Sequence, residues 1–327
     1  MVRSSRLLPM LLALSSGLSG QVGAECRQTL VVNALDRRDL PFGGLSANDF
    51  RATSQGQEVH IVSSQFMENG TGKTIVLLDA SGSMGGGKSN KWKIALTAVS
   101  EFVSSAPQQM QISFMAFADT IRQKFSAVDG RKAIEEWLQD ATTPNPANLK
   151  GSTALYDTIL TALKELEPRQ PGNALYVITD GGDNKSSEAI TRLDRELQST
   201  GTRLFVFLLN DAQTEEQRID ARELYELTQK SGGLLVSVGS DRIGVTPTGS
   251  YSYDSKVVTA IRTSTRIVEA EIGNYYVLAI QPQNGVSKPE AWKLEAVDVR
   301  GRKRKDVSLA YPSKLPGCAN VQSVSNQ

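Results

Sequence analysis

The run Thr74-Ile75-Val76-Leu77-Leu78-Asp79-Ala80-Ser81-Gly82-Ser83-Met84 limits what this chain can fold into more than any other stretch. It begins apolar and β-branched, as a strand covered on both faces does. A polar loop follows, then a segment with helical period. The loop carries Asp79, Ser81 and Ser83 in the spacing D-x-S-x-S. Alternate positions just past a strand can aim one carboxylate and two hydroxyls at a common point. All three are hard oxygen donors, which suit Mg²⁺, Ca²⁺ or Mn²⁺. The loop has no sulfur and no imidazole, which disfavours zinc and copper.

Three donors do not satisfy a divalent ion, and two further oxygen-bearing loops lie downstream. One is Gly151-Ser152-Thr153-Ala154-Leu155-Tyr156-Asp157, at the start of a helical pattern. The other is Asp180-Gly181, just after the apolar run Ala174-Leu175-Tyr176-Val177-Ile178-Thr179. Together the three segments resemble the metal-ion-dependent adhesion site of von Willebrand factor type A domains. The resemblance covers roughly residues 71 to 270, a usual domain size. It implies that Ser81, Ser83 and Thr153 bind the ion directly, and that Asp79 and Asp180 bind it mainly through water. It also implies a protein partner whose carboxylate completes the shell.

Composition sets the class. The 327 residues are 39% hydrophobic and 22% charged, as in ordinary globular chains, with a net charge of +1. Near-neutrality argues against a dedicated nucleic-acid binder, which needs a basic face for phosphates. Residues 1 to 24 read as a secretory signal. Arg3 and Arg6 are basic, Leu7 to Leu18 is apolar but short for a membrane span, and Val22-Gly23-Ala24 suits cleavage. An uncleaved anchor is the alternative. Cleavage after Ala24 leaves 34 basic against 35 acidic residues. No second apolar span follows, so the mature chain is expected to be exported with no membrane span. Glu25 stands before Cys26, where a lipoprotein expects a small residue. The two cysteines, Cys26 and Cys318, lie near opposite ends. In an exported protein an even count favours a disulfide, and two unpaired thiols are the alternative.

In chain order, strands are expected at Thr29 to Asn33, Phe50 to Ser54 and Glu58 to Phe66, the last two split by Gln55-Gly56-Gln57. The set Asp36, Leu45-Ser46-Ala47-Asn48-Asp49-Phe50 and Gly56 resembles the leader that precedes type A domains in a bacterial group of exported proteins. From Ile75 onward, strands alternate with helices. Strands fall at Ile75 to Leu78, Gln111 to Ala118, Ile121 to Phe125, Ala174 to Thr179, Arg203 to Leu209 and Leu234 to Val238. Helices fall at Lys91 to Ser104, Lys132 to Leu138, Ala154 to Leu166, Ser187 to Ser199, Glu215 to Lys230 and Lys256 to Ala270. This alternation predicts an α/β fold with a doubly wound, mostly parallel, Rossmann-like sheet. Ligands of such sheets bind beyond the carboxyl ends of the strands, where Asp79 and Asp180 sit. The long polar loop Gly239 to Ser255 leaves such an end. Strand-like segments return at Tyr275 to Ile280, Ala291 to Val299 and Asp306 to Leu309. The predicted organisation is a signal (1–24), a β segment (25–70), the α/β domain (71–270) and a second β segment (271–327). The two β segments should meet as one small antiparallel sheet or sandwich.

Rival readings use the same residues. Gly82-Ser83-Met84-Gly85-Gly86-Gly87-Lys88-Ser89 matches the phosphate-loop pattern at every fixed position, and a strand precedes it. A nucleotide-binding enzyme would, however, open its helix at Lys88-Ser89 and leave Asp79, Ser81 and Thr153 unexplained. Hydrolysis by a serine needs a base, and the sole histidine, His60, falls in a strand of the other unit. A third reading makes the ion structural and gives binding to the β unit or to the basic run Arg300 to Lys305, which otherwise reads as a solvated hairpin tip. Trp92, Trp137 and Trp292 read as core. The expected function is a non-enzymatic adhesion module that grips a protein carboxylate through a divalent cation.

Overall fold

A computed structural model describes residues 26–85, 90–141, 149–209, 215–238, 255–282, 286 and 288–318. The signal-like segment, Lys88, and most of the loops 140–150 and 239–255 lie outside the described residues. The chain starts with β1 (Gln28–Leu35), β2 (Phe50–Ser54), β3 (Gln57–Met67), β4 (Lys73–Asp79), α1 (Gly82–Gly85) and α2 (Lys91–Ser105). It continues with β5 (Gln111–Phe117), β6 (Ile121–Phe125), α3 (Gly130–Ala141), α4 (Leu155–Glu165), β7 (Ala174–Thr179) and α5 (Ile190–Thr200). Next come β8 (Arg203–Leu208), α6 (Glu215–Ser231), β9 (Leu235–Ser237) and α7 (Ser255–Gly273). The last elements are β10 (Tyr275–Pro282), β11 (Glu290–Ala296), β12 (Ser308–Ala310) and β13 (Lys314–Leu315).

Among the described residues, six strands form a mixed sheet in the order β6-β5-β4-β7-β8-β9. All its pairs are parallel except β5 with β6. In β4 the residues Thr74 to Asp79 are all buried, because both faces are covered. Val76 and Leu78 pack with Val99 and Phe102 of α2, Ile134 of α3 and Ile261 of α7. Ile75 and Leu77 pack with Leu155 and Ile159 of α4, Leu193 of α5 and Leu224 of α6. Each fully buried aliphatic or aromatic side chain contributes roughly 1.5–3 kcal/mol. Trp92 and Trp137 lie at the margin of the first cluster, with ring centroids 6.5 Å apart, and Trp292 is core.

Seven strands from both ends of the chain form a separate antiparallel sheet, ordered β12-β1-β10-β3-β2-β11-β13 among the described residues. The β2–β3 hairpin turns through Gln55 and Gly56, both at positive φ (49° and 78°), which matches the twist of paired strands. Its core gathers Leu30, Val32, Phe50, Tyr276, Leu278 and Trp292. A disulfide joins Cys26 to Cys318 across 292 residues of sequence.

Some element ends differ from the periodicity. Helix α5 starts at Ile190, not Ser187: Ala189 is extended (φ −76°, ψ 148°), and the N–H groups of Ser187 and Glu188 before it donate to Asp157 (2.9 and 3.1 Å). Strand β11 stops at Ala296, and Val299 is fully exposed on a hairpin tip. There Arg302 pairs with Asp298 and Arg304 with Asp306 (2.7 and 2.6 Å), so Asp306 belongs to the turn and β12 begins at Ser308.

The two sheets meet at Arg203, the first residue of β8, which is fully buried. Its Nη1 donates to Asn33 Oδ1 of β1 and to the Glu271 carbonyl, both at 2.9 Å. Its Nη2 donates to the carbonyls of Gly172 (3.1 Å) and Ile272 (3.0 Å). The guanidinium also lies over the Tyr275 ring, 4.6 Å from its centroid. Approach here is close: a Cβ on Gly172 (φ +91°) would fall 1.9 Å from the Tyr275 hydroxyl. The Glu271 side chain is buried nearby, and neither carboxylate oxygen receives a hydrogen bond from a described residue. Burial pushes its pKa up to about 7, against the pull of Arg203 and with a small push from Asp39.

Glu271 generates a pH prediction. An unfolded glutamate ionises above its ordinary value of 4.5, whereas the folded one keeps its proton to about 7. The folded state therefore binds more protons in that window, and stability is lost as pH rises through it. The expected loss from this group is on the order of 3 kcal/mol. Urea unfolding of wild type and Glu271→Gln on both sides of the window should show the variant gaining relative stability at the higher pH. Parallel pH curves for the two proteins would contradict this.

Candidate metal centre

Register builds the site. Strands β4 and β7 pair in parallel with Leu78 opposite Ile178, so the next residues, Asp79 and Thr179, end the strands side by side. Asp79 has no exposed surface. Its Oδ1 accepts the Ser81 backbone N–H at 2.9 Å, and its Oδ2 accepts the Thr179 hydroxyl at 2.7 Å. The Thr179 Oγ1 in turn accepts the Gly181 N–H at 3.1 Å, which turns the chain after β7. The hydroxyls of Ser81 and Ser83 lie 3.0 Å apart. Ser83 donates to Asp180 Oδ1 at 3.1 Å, and the Lys91 ammonium meets Asp180 Oδ2 at 3.0 Å. Four of the five expected residues thus converge: Asp79, Ser81, Ser83 and Asp180. Ser81 is buried, whereas Ser83 is exposed, so the cluster opens to solvent at its rim.

The fifth, Thr153, is placed by its backbone. Its N–H donates to Asn184 Oδ1 at 2.8 Å, and its carbonyl accepts the N–H groups of Asn184 and Lys185, both at 3.1 Å. Its side chain is buried. The Gly82 N–H donates to the Gly151 carbonyl at 3.1 Å, which fastens the serine loop to the Thr153 loop. Arg122 repeats that link, donating to the carbonyls of Ala80 (3.3 Å) and Lys150. Asp183 accepts the Tyr156 N–H (2.8 Å) and the Ser186 hydroxyl (2.6 Å), tying the Asp180 loop to the start of α4. Three loops are therefore laced into one rigid rim.

The sequence reading missed Thr179, Lys91, Arg122 and Asn184. Thr179 could have been found from strand parity, since it ends β7 as Asp79 ends β4. Lys91, Arg122 and Asn184 carry no spacing signal, because their partners lie far away in sequence.

The electrostatics suit a cation. Burial, and then the charge of Asp180, push the Asp79 carboxyl up to about 6, while hydrogen bonds from Ser81 and Thr179 pull it down. A divalent ion near both carboxylates relieves that cost. The donors are oxygens alone, which fit Mg²⁺, Ca²⁺ or Mn²⁺. Among the described residues, no group of three or more His, Cys, Asp or Glu side chains is placed to hold a metal ion. A cation at this rim must therefore rely on the hydroxyls as well as the two carboxylates. Of the rival phosphate loop, residues 86–89 lie outside the described residues. Helix α2 starts at Lys91, Met84 is buried, and His60 is exposed on β3 of the other sheet.

Residues 74–183 match the family model described as the von Willebrand factor type A domain, which agrees with the resemblance over that stretch. No curated protein matches the chain. Similar solved structures include an aerotolerance-related membrane protein from Bacteroides fragilis carrying multiple mutations to serines. It is 17% identical, covers 62% of this chain and 98% of its own, and has a TM-score of 0.43. The SpRpn10 VWA domain is 12% identical, with 61% and 97% covered and a TM-score of 0.43. The pilus adhesin SpaC from Lactobacillus rhamnosus GG is 12% identical, with 84% and 49% covered and a TM-score of 0.44.

Thr179→Val keeps the shape of the residue but removes the donor to a buried carboxylate. It should cost about 1–3 kcal/mol of stability, while Thr179→Ser should cost less. Denaturant unfolding of both variants measures this, and equal stabilities would contradict the assigned role of the hydroxyl.

Proposed function

We propose that the protein is an exported, non-enzymatic binding module that grips an acidic side chain of a partner protein through a divalent cation, Mg²⁺, Ca²⁺ or Mn²⁺. The observation that carries this reading is the convergence of Ser81, Ser83 and Asp180 at a solvent-open rim above the buried Asp79. Ser81, Ser83 and Thr153 hold the ion through their hydroxyls, and Asp79 and Asp180 hold it mainly through water. A shell rich in neutral hydroxyls leaves the ion electrophilic, and a partner carboxylate completes its coordination.

Residues 71–270 form the cation-holding domain in this reading, with the sheet doubly wound, as helices on both of its faces support. Residues 25–70 and 271–327 form its companion. Export is supported by the signal-like residues 1–24 and by the Cys26–Cys318 disulfide, a bond that persists in oxidising compartments. Among the described residues no helix is long and apolar enough to cross a membrane. Binding by the Arg300–Lys305 hairpin is disfavoured, because Arg302 and Arg304 are paired with Asp298 and Asp306.

Calorimetric titration of the EDTA-stripped protein with Mg²⁺, Mn²⁺ and Ca²⁺ tests the reading, beside a Ser81→Ala/Ser83→Ala double variant. One-site binding is expected in the wild type and loss of binding in the variant, with an unchanged circular dichroism spectrum. Equal ion affinity in the two proteins would sink the proposal.

A further inference from the structure

Lys91 is an odd residue where it stands. It is the first residue of α2, and helix N-termini favour anions over cations. It is also buried: its side chain is 10% exposed and that of its partner, Asp180, is 8% exposed. The preceding Asn90 makes no side-chain cap, and its buried amide nitrogen finds no partner among the described residues. The start of α2 is thus not arranged for helix stability. Its arrangement makes sense for the site, because the ammonium reaches Asp180 Oδ2 while Ser83 holds Oδ1.

We propose that Lys91 is a tethered counter-cation that competes with the divalent ion for Asp180 and, once displaced, donates to the incoming carboxylate, so that ion and carboxylate bind cooperatively. The inference rests on the cation-site reading above. Formal charges give the reason. With Asp79 and Asp180 ionised and Lys91 present, the ion-free cluster carries one net negative charge. A divalent ion turns that into one net positive charge, and a partner carboxylate brings it to neutrality. Without the lysine, the ion alone would neutralise the cluster, and a carboxylate would add an uncompensated charge. Lys91 therefore weakens the ion by itself and strengthens the ion together with an anion. It also keeps Asp180 paired when no ion is bound, so neither carboxylate of the resting site lacks a donor. Lys91 and the exposed Ser83 share the Asp180 carboxylate, so the ammonium stands within one carboxylate of the rim that an incoming anion approaches.

The test is Mn²⁺ titration of the full, metal-stripped chain as wild type, Lys91→Met and Lys91→Gln, each in chloride and in saturating acetate. Thermal melts identify which variant remains folded for the comparison. In chloride, the variants should bind Mn²⁺ more tightly by about tenfold or more, since a repelling charge has gone. Acetate should raise Mn²⁺ affinity more in the wild type than in the variants. If the wild type binds Mn²⁺ and the folded variants bind it equally or more weakly, the lysine proposal is overturned and the cation site stands. An equal acetate enhancement in all proteins overturns the cooperative coupling. If no protein binds Mn²⁺ in either salt, the cation-site reading falls and the lysine proposal with it.

Discussion

A guanidinium removed from water must find acceptors for its donors, and both Nη groups of Arg203 find them on the two sides of a seam, while its buried Nε meets none among the described residues. It draws on Asn33 of β1 and on backbone carbonyls at Gly172, Glu271 and Ile272. Burial pushes its pKa down only to about 10, so it stays charged at neutral pH. A buried charge tolerates little movement, because any lost acceptor leaves a donor unsatisfied. The angle between the two sheets is therefore fixed by polar geometry as well as apolar packing. Arg203 begins its strand, whereas Asp79 and Thr179 end theirs. One end of the six-stranded sheet is committed to the joint, which leaves the other end free for the rim.

The rim follows a different rule. It places two carboxylates close together, one of them inaccessible to solvent, and surrounds them with short side chains that donate hydrogen bonds. Loops at strand ends are the natural site for such an arrangement, since their backbone is not committed to a ladder. Here the loops are held by Arg122, Asp183, Asn184 and the Gly82–Gly151 bond. Donors held in advance lose little freedom when they engage a ligand.

The sequence made local features legible and left contacts across the fold obscure. Thr74 to Leu78 reads as a doubly covered strand because every residue is apolar or β-branched, and it is buried throughout. Lys91 to Ser104 reads as a helix because its apolar face repeats at helical period, and the helix runs to Ser105. Asp79, Ser81 and Ser83 are legible as a group through their alternate spacing. Asp180 is legible because it follows an apolar run. Nothing in the local pattern marks Lys91 as the partner of a residue 89 positions away, or Arg203 as the partner of one 170 positions away. Glu271 sits among apolar and charged neighbours in a helical repeat, and its burial is a consequence of the seam. Helix α5 begins later than its period suggests for a similar reason, since Ser187 and Glu188 are held by Asp157, a contact across the fold that local pattern does not mark.

The disulfide has a mechanical meaning. Cys26 and Cys318 hold their Cα atoms 5.8 Å apart, although 292 residues separate them in sequence. A tensile force applied to the chain outside these residues passes through one covalent link and bypasses everything between. Both sheets hang from that link as a slack loop and stay unloaded. A load applied at the rim takes another path: it enters at the ends of β4 and β7, runs down the strands, and reaches the other sheet both through the chain that joins β3 to β4 and through the contacts of Arg203. The protein is thus inextensible along its chain axis, while a load at the rim is shared between the backbone that runs from one sheet into the other and the contacts gathered around Arg203.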